Sequence, residues 1–351
     1  MRHFIPAATW LLAVLVLLSI SCQKNPLDPP ADTHDKETPI EFGVADNWTK
    51  AVIPSGSEGL SVLQNDKNGI KVWSWFQGTV SGPYFEEAGT QVTYTNNVWD
   101  YSPERYWISG TYHFASVYPS SLSGTYAPET SGVSPSLNVT DFDISSQDDV
   151  LVAFNTGVDG QNHPASVELK FKHALSNIQL QLTLDKDSFF VDEDGDGTKE
   201  KQVGRAYATI VGFNNIATVA DLVATSSEEI TWEPASVDGQ LKLYYTQNPE
   251  EVTDLYKNFF GTDGLLVVPQ QLGTGNAELY IQVAIYPFGN DDEKTTKEFK
   301  LPLASGGVNE WEPNTKYVYQ VGVTQDMVID FSVIKVNDWK EGEPLGGFIV
   351  S

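Results

Sequence analysis

Residues 167–184, with the sequence VELKFKHALSNIQLQLTL, decide the fold class of this chain. Apolar side chains alternate with polar ones over 167–171, and the alternation resumes over 174–184. A period of two is typical of a β-strand with one buried face, because successive side chains point to opposite sides of a sheet. The stretch therefore predicts β-strands rather than an amphipathic helix.

Similar alternation recurs on both sides of this stretch. Strands are predicted before it at 40–44, 70–76, 92–94 and 112–118, and after it at 207–213, 241–245, 265–268, 279–286, 299–303, 317–323 and 329–336. Clusters of Gly, Pro, Asn, Asp and Ser separate these segments at distances that suit hairpins. We therefore expect an all-β protein built from antiparallel sandwiches, not a parallel α/β sheet.

One segment, 248–261, has the features of a helix. Asn248 is a capping residue, Pro249 suits a first turn, and Gly261 follows the last apolar position. The apolar residues between them fall on one helical stripe: Val252, Leu255, Tyr256 and Phe259. We expect a short helix that packs over a sheet edge or between domains.

The strand pattern is interrupted at 159–166, where polar residues, Gly and Pro follow one another. We place a domain boundary there, with an N-terminal sandwich at 40–163 and a C-terminal sandwich at 164–351. A long loop between two strands of one domain would give the same pattern.

The first residues of the chain predict export. Residues 10–20 are almost entirely apolar, and a small residue precedes Cys22, the one cysteine in the sequence. The apolar run is too short to span a membrane and is typical of a secretory signal, here 1–21. A signal that ends before cysteine is the pattern of a bacterial lipoprotein, in which the thiol is acylated. A plain signal peptide with a chance cysteine is the alternative. We expect a surface-exposed lipoprotein of the outer membrane.

Composition limits the partners of the exported chain. Residues 22–39 are mostly polar, so we expect a flexible acidic tether there. The formal net charge is −26, from 21 basic and 47 acidic residues. Such a surface repels nucleic-acid phosphates and anionic lipid head groups, which excludes both as binding surfaces. Because the single cysteine leaves none for an internal disulfide, stability must come from burial and sheet hydrogen bonds.

Sequence patterns of known catalytic sites are absent. The chain has no Gly-x-Ser-x-Gly elbow, no His-Glu-x-x-His pair, no Walker loop and no dinucleotide fingerprint. Four histidines remain after export: His34, His113, His163 and His173. We therefore predict that the protein is not an enzyme. A glycosidase pair of carboxylates stays open, because the spacing that matters there is spatial.

One acidic loop has the chemistry of a cation site. Asp192, Asp194 and Asp196 alternate, and Glu200 follows them. Alternate carboxylates in a Gly-containing loop can converge on calcium, although Val203 stands where an EF-hand carries its bidentate Glu. The sequence predicts a candidate calcium site at a hairpin tip, with a solvated acidic turn as the alternative. No other cofactor is expected.

Nine short strings occur in order along the exported chain. They are IEFG at 40–43, TKA at 49–51, YW at 106–107, YHFASVYP at 112–119, FKHALSNI at 171–178, LLVVPQ at 265–270, YVYQV at 317–321, IDF at 329–331 and VNDW at 336–339. Together, and behind a lipoprotein signal, they resemble the fimbrillin-like proteins of Bacteroidetes. The resemblance implies two transthyretin-like β-sandwich domains and, in pilus-forming members, assembly into type V pili by donor-strand exchange.

Carried onto this chain, the resemblance implies that a protease removes the first strand, with its apolar residues Ile40, Phe42 and Val44. The cut would follow Lys50, the next basic residue. This departs from maturation at arginine, since none lies between Arg2 and Arg105. If Lys50 is not cut, we expect an anchored or accessory member rather than a shaft subunit.

The candidate donor strand is the C-terminal tail, which carries the apolar residues Leu345, Phe348, Ile349 and Val350. The tail is short for a donor, and completing its own sheet is the alternative. In the exchange scheme that the resemblance implies, a strand from a neighbouring subunit fills the groove left by the first strand, because a donated strand supplies ladder hydrogen bonds and alternating side chains.

We therefore expect a structural or adhesive subunit of a pilus. Its partners would be other pilin subunits, outer-membrane lipid through Cys22, and ligands on host or bacterial surfaces. The alternative is a lipid-anchored glycan-binding protein of a nutrient-uptake system, with sugar rings stacked on Trp73, Trp75, Trp99 and Trp107. An exposed coplanar aromatic pair would favour that alternative.

Overall fold

A computed structural model describes residues 38–45, 56–127, 135–261, 263–273, 276–287, 294–325 and 330–337. Alternating apolar residues form strands along most of these ranges. The first strands are β1 (Phe42–Val44), β2 (Ile70–Gln77), β3 (Gly82–Pro83), β4 (Thr90–Thr95), β5 (Val98–Asp100), β6 (Thr111–Tyr118), β7 (Gly124–Ala127), β8 (Ser136–Asp143), β9 (Leu151–Asp159), β10 (Val167–Leu169), β11 (Lys172–His173), β12 (Ser176–Leu184), β13 (Phe190–Val191) and β14 (Lys201–Gln202). The later strands are β15 (Gly204–Ile216), β16 (Val219–Ala224), β17 (Ile230–Pro234), β18 (Gly239–Tyr244), β19 (Glu250–Val252), β20 (Lys257–Asn258), β21 (Leu265–Val267), β22 (Gln270–Gln271), β23 (Glu278–Pro287), β24 (Thr295–Pro302), β25 (Glu310–Trp311), β26 (Thr315–Val323) and β27 (Asp330–Asn337). Helices are confined to α1 (Gly56–Asn65), α2 (Lys186–Phe189) and the 3₁₀ turns Ile144–Ser146 and Leu303–Gly306 within the described ranges. The prediction of an all-β protein is confirmed.

A nine-stranded sheet contains the first strand and turns a corner. Its order is β10-β1-β5-β4-β2-β6-β9-β11, and β3 also pairs with β2. β4 pairs with β2 through residues 90–92 and with β5 through residues 93–95. A strand shared in this way lets one part of a sheet fold over the other. As a result, β1 and β5 face β2 and β6 across an aromatic core.

β6 is buried on both faces. Phe114 points toward the first strand, where its ring contacts that of Phe42. Ala115 and Val117 point the opposite way and share a core with residues of a second sheet, among them Leu137 and Leu222. That sheet has the order β17-β16-β8-β7. The two sheets that contain β1–β11, β16 and β17 are called the first body. It therefore has three layers, and the part of the sheet with β2, β6 and β9 lies in the middle.

A second sandwich follows. The sheet β18-β15-β23-β24 packs against the sheet β20-β12-β26-β27 around a core of its own. The indole of Trp311 lies in that core, where its N–H donates to the hydroxyl of Tyr319 at 2.9 Å. The ring of Phe213 lies 5.3 Å from the ring of Trp311 at an angle of 77°. Buried aromatic rings at such angles add to the burial of apolar area.

Two strand pairs are parallel, in contrast to the antiparallel arrangement expected from the sequence. β12 pairs with β26 over eight positions, and β1 pairs with β10 over three. A hairpin can join only antiparallel strands, whereas parallel neighbours need a long connection. Both pairs meet this requirement, because more than one hundred residues separate the members of each.

Several pairings cross the predicted domain boundary after residue 163. β8 pairs with β16, so the segment 219–234 lies in the same sheet as residues 136–143. β1 likewise pairs with β10, which follows the boundary. The division at residue 163 stays a prediction, and these ladders tie the two sides of it together.

The prediction of a helix at 248–261 is wrong. Glu250–Val252 forms β19, which pairs with β15, and Lys257–Asn258 forms β20, which pairs with β12. The expected apolar stripe is split, since Val252 and Phe259 are buried whereas Leu255 is 72% exposed. Pairing with two sheets that are already formed outweighs the weak local preference for a helix.

Helix α1 was not predicted; it lies near β4, and its Leu63 is fully buried. None of the helices in the described residues is long and apolar enough to cross a membrane.

Candidate assembly site at the first strand

The first strand lies between two parts of the chain that are distant from it in sequence. β1 pairs in parallel with β10, which is the edge strand. On its other side it meets β5 at one register position, Phe42 opposite Trp99. An isolated bridge joins Pro39 to Tyr106. β1 is therefore second from the edge, with neighbours on both sides.

Backbone hydrogen bonds hold the segment 38–40 against the chain around residue 106. The amide of Ile40 donates to the carbonyl of Arg105 at 2.8 Å, and the amide of Trp107 donates to the carbonyl of Thr38 at 2.9 Å. The hydroxyl of Tyr101 donates to the carbonyl of Ile40 at 2.8 Å. Burial raises the pKa of Tyr101, so this hydroxyl keeps its proton as a donor.

A second set of hydrogen bonds holds the segment against β10. The amide of Val167 donates to the carbonyl of Glu41 at 2.7 Å. The amide of Ala45 donates to the carbonyl of Leu169 at 3.1 Å. Release of the segment would therefore leave backbone groups without partners along both of its neighbours, a cost that any replacement strand would remove.

The side chains of Ile40 and Phe42 lie inside the protein, with 1% and 6% of their surface exposed. The ring of Phe42 lies 5.8 Å from Phe85 and 5.6 Å from Tyr101. It lies 5.9 Å from Phe114. All three contacts are edge-to-face, the geometry that aromatic pairs prefer. The other members of this pocket come from β6 and from two loops, so the pocket for Phe42 does not depend on the continuity of the chain at β1.

A cavity of about 380 Å³ lies beside the first strand, between residues 39–42 and residues 97–101. On this side of β1 the ladder with β5 has a single register position, Phe42 opposite Trp99. The exposed Val98 and the carboxylates of Asp100 and Glu104 line the mouth of the cavity. The ladder on this side of β1 is therefore much less complete than the ladder with β10.

Most of the other predicted assembly residues lie outside the described part of the chain. These are the lipidation residue Cys22, the cleavage residue Lys50, and the tail residues Leu345, Phe348, Ile349 and Val350. Their roles stay predictions. Val44, the third apolar residue of the first strand, is described and is half-buried.

The four acidic residues predicted as a calcium site lie together. Each of Asp192, Asp194, Asp196 and Glu200 offers a carboxylate oxygen, and these oxygens all lie within 4.8 Å of one another. Backbone amides already occupy part of this oxygen set: those of Gly195 and Gly197 donate to Asp192 at 2.6 and 2.7 Å. These bonds lower the pKa of Asp192, with the amide of Gly197 as the largest cause. Calcium binding at this tip stays a prediction.

The tryptophans proposed for sugar stacking are mostly core residues. Trp73, Trp99 and Trp107 are less than 10% exposed, and Trp75 is half-buried. Trp107 stacks face to face on His163, with ring centres 4.9 Å apart. Because the larger part of each of the three indoles is covered, they do not offer open platforms for a glycan.

Of the remaining histidines, His173 is fully buried. Its Nδ1 lies 2.9 Å from a carboxylate oxygen of Asp149, which is buried as well. His163 lies in a loop and His113 on β6. The described histidines are thus dispersed over the first body and form no shared cluster.

Sequence reasoning missed two residues of the pocket around Phe42. Phe85 follows the two-residue strand β3, and Tyr101 follows β5, so neither lies in a long alternating segment. The signal that remained was composition, since both segments are aromatic. Phe114 was within a predicted strand, but which face it used depended on the corner in the sheet.

Comparison with known proteins gives a family and a fold. The model of the fimbrillin-like family matches residues 53–339. A fimbrial protein from Bacteroides vulgatus has the same fold, with a TM-score of 0.57 at 16% identity over 86% of this chain and 99% of that chain. A candidate cell adhesion protein from Parabacteroides distasonis gives a TM-score of 0.49 at 12% identity over 88% of this chain and 98% of its own. No curated protein matches the chain.

Proposed function

The chain belongs to the fimbrillin-like family, and from this premise we propose that it is a structural and adhesive subunit of a surface pilus. In the proposed scheme it is exported as a lipoprotein acylated at Cys22. Proteolysis then removes the first strand, and a strand from a neighbouring copy takes its place. The proposal assigns the chain no catalytic role.

One observation carries the exchange step: the first strand is held entirely by residues far from it in sequence. Its partners lie at 99–107 and 166–169, and its largest side chain fills an aromatic pocket built by other segments. The walls of such a groove remain part of the subunit after the strand is cut from the chain. Any segment with apolar residues at alternate positions can then occupy it.

The energetics favour exchange over simple loss. Burial of Ile40 and Phe42 is worth roughly 2 kcal/mol for each side chain. Each of the four backbone hydrogen bonds to the segment adds on the order of 1 kcal/mol. A subunit that has lost the strand is therefore several kcal/mol less stable than one that has received a donor. This difference is what would drive one copy to join the next.

The position of β10 sets the route. Since β10 covers the outer side of β1 with three paired residues, an incoming strand must either slide between β10 and β5 or displace β10. The first route is favoured, because a donor between β10 and β5 regains both neighbours of the first strand, whereas a donor that displaces β10 pairs with β5 alone. The donor proposed for this groove is the tail with Leu345, Phe348, Ile349 and Val350.

The proposal is tested with the precursor carrying Cys22→Ser and a lysine-specific protease. We expect a cut after Lys50, release of residues before it, and a ladder of oligomers in gels run without boiling. Lys50→Gln should abolish the ladder. Lys36→Gln is the matched control: it lies before the first strand, so a cut there cannot release the strand. Clipped protein that stays monomeric would rule out assembly by exchange.

A peptide separates exchange from other kinds of association. The sequence TPIEFGVA, residues 38–45, contains the displaced strand. Added in excess during cleavage, it should refill the groove and prevent the ladder. The same peptide with Phe42→Asp should have no effect, since a carboxylate cannot be buried in the aromatic pocket without a partner. Equal inhibition by both peptides would contradict the proposal.

A further inference from the structure

The solvent-facing side of the second sandwich carries an aromatic pocket with a cation. Along β15, Ala206 and Ala208 point into the core, so Arg205 and Tyr207 point outward. On the neighbouring β23, Ile285 points inward and Tyr286 outward. This pocket lies on a different sheet from the first strand.

Register places the outward side chains next to one another around one cavity. Arg205 is directly opposite Tyr286, and Tyr207 is directly opposite Ala284. The small side chain of Ala284 leaves room for the two tyrosine rings, whose centres lie 5.6 Å apart at an angle of 87°. The rings thus form a corner, one wall presenting a face and the other an edge. Pro249 closes the pocket on a third side.

The lining of this cavity has a definite chemistry. Its volume is about 240 Å³, which is enough for one sugar ring and too little for a folded peptide. Tyrosine faces stack on the C–H surface of sugars, and their hydroxyls reach polar groups. A guanidinium carries five N–H donors in a planar fork and binds carboxylates in a bidentate manner. Contacts of Arg205 with its neighbours and with a ligand can therefore coexist.

We propose that Arg205, Tyr207 and Tyr286 form a binding site for a single carboxylate-bearing sugar residue at the end of a glycan. The arginine binds the carboxylate, and the tyrosine corner packs against the sugar ring. The proposal goes beyond the assembly role and does not depend on it, because the site is complete in one copy of the chain.

The net charge decides between a terminal acidic sugar and a polyanionic chain. Arg205 is one of three arginines in a sequence with 47 acidic residues. Glu251 lies opposite Tyr207 on β19, at the border of the pocket. A repeating uronate polymer would bring further carboxylates against this negative surface. A glycan with one carboxylate and no other charge can pair with Arg205 without bringing further carboxylates against the acidic surface.

The test measures binding of small glycans to the intact, uncleaved chain by calorimetry or ligand-observed NMR. The probes are 3′-sialyllactose, lactose, polygalacturonate and the acetylated peptide Ala-Glu-Ala. We expect saturable binding of 3′-sialyllactose. Binding of the other three should be weaker by about tenfold or more. Lactose has no charge, polygalacturonate carries many charges instead of one, and the peptide has no sugar ring.

Variants assign the binding to the pocket. Arg205→Gln should weaken it by about tenfold or more, and Arg205→Lys should weaken it less, since it keeps the charge but loses the planar fork. Tyr286→Leu removes a wall and should also weaken binding. Lys300→Gln is the control: it removes the same charge from an exposed site on the same sheet. Thermal unfolding of each variant checks that it is folded.

Three results would overturn the proposal. The first is the absence of saturable binding of 3′-sialyllactose by the unaltered chain. The second is binding as tight as that of the unaltered chain both in folded Tyr286→Leu and in folded Arg205→Gln or Arg205→Lys. The third is equal or tighter binding of the peptide or of polygalacturonate, which would assign the pocket to another class of ligand. Loss of strand exchange leaves all these measurements unchanged, so the two proposals fail separately.

Discussion

The ring of Phe42 meets the ring of Phe114 edge-on, with centres 5.9 Å apart and an angle of 86° between the planes. In pairing order, β1 and β6 are four places apart in the nine-stranded sheet. The contact arises because the sheet turns its corner at β4 and folds back on itself. The first strand therefore closes one core of the first body, and its removal has consequences well beyond its own hydrogen bonds.

Phe42→Ala should lower the free energy of unfolding of the uncleaved chain by about 3–5 kcal/mol, the usual loss when a buried phenylalanine is truncated. Val44→Ala is the matched control, since its side chain is only half-buried. Its loss should be well below that of Phe42→Ala. Urea unfolding followed by tryptophan fluorescence measures both. Equal losses would mean that the aromatic pocket does not stabilise the protein.

Asp149→Ala should be strongly destabilising. Its carboxylate and the imidazole of His173 lie 2.9 Å apart with almost no exposure. Removal of one member of a buried pair typically costs about 3–5 kcal/mol, because the other is left in a dry environment. The control is Glu168→Ala, which breaks an exposed pair with Lys170 and should cost less than about 1 kcal/mol. Comparable effects in urea unfolding would contradict this prediction.

Gly212 should not tolerate a side chain. It lies between Lys242 and Tyr280 in register, and the Lys242 ammonium reaches over it to 4.1 Å from the Tyr280 ring centre. A Cβ at residue 212 would lie 2.2 Å from the carbonyl oxygen of Leu241, at a φ of +155°.

Gly212→Ala should therefore lower the thermal midpoint by several degrees, whereas Gly273→Ala, where a Cβ meets nothing within 4 Å, should leave it unchanged or slightly raised. Scanning calorimetry of the two variants decides the matter. An unaltered midpoint in Gly212→Ala would show that the neighbouring strand moves away without cost.

Asp187 should titrate at unusually low pH. Its carboxylate lies 2.7 Å from the ammonium of Lys199, and this hydrogen bond is the main reason that the pKa of Asp187 is lowered. Since the folded pKa is below the unfolded one, the pair stabilises the hairpin above the unfolded pKa. That contribution is lost as the pH falls through the folded value.

Lys199→Met should raise the pKa of Asp187 toward its ordinary value, as followed by NMR of the side-chain carboxyl carbon. Lys201→Met is the control, because Lys201 pairs with Glu193 instead. High salt should reduce the difference, since the carboxylate is exposed. A pKa of Asp187 that is the same in all three proteins would exclude the pair as its cause.

The acidic tip at 192–200 gives two distinguishable outcomes. Under the calcium hypothesis, calcium raises the thermal midpoint, chelation reverses the rise, and Asp194→Asn abolishes it. Asp238→Asn, on a different loop, serves as the control. Under the solvated-turn interpretation, calcium has no more effect than magnesium at the same ionic strength.

Long alternating segments were predictable from sequence because their pattern is local. β12 and β23 coincide closely with the predicted segments at 174–184 and 279–286. The helix expected at 248–261 failed for the opposite reason. Its capping and turn residues are local signals, but residues 250–252 and 257–258 pair instead with residues of β15 and β12 that lie more than forty residues earlier in the chain.

The candidate sites were predictable only in part. Alternation placed Ile40 and Phe42 on one face, and both are buried. The partners of Phe42 come from residues up to 114, and a corner in the sheet brings them to it. Likewise, no local pattern could pair Arg205 with Tyr286, because that contact depends on the register between two strands that are distant in the chain.

The eight-position ladder between β12 and β26 also bears on how the protein folds. It joins residues 177–184 to residues 316–323, so the second core closes only after nearly the whole chain is present. Contacts of such large sequence separation slow folding, because a long loop must be ordered before they form. A chain built this way stays open for longer after synthesis, which suits the export through a membrane that we propose for it.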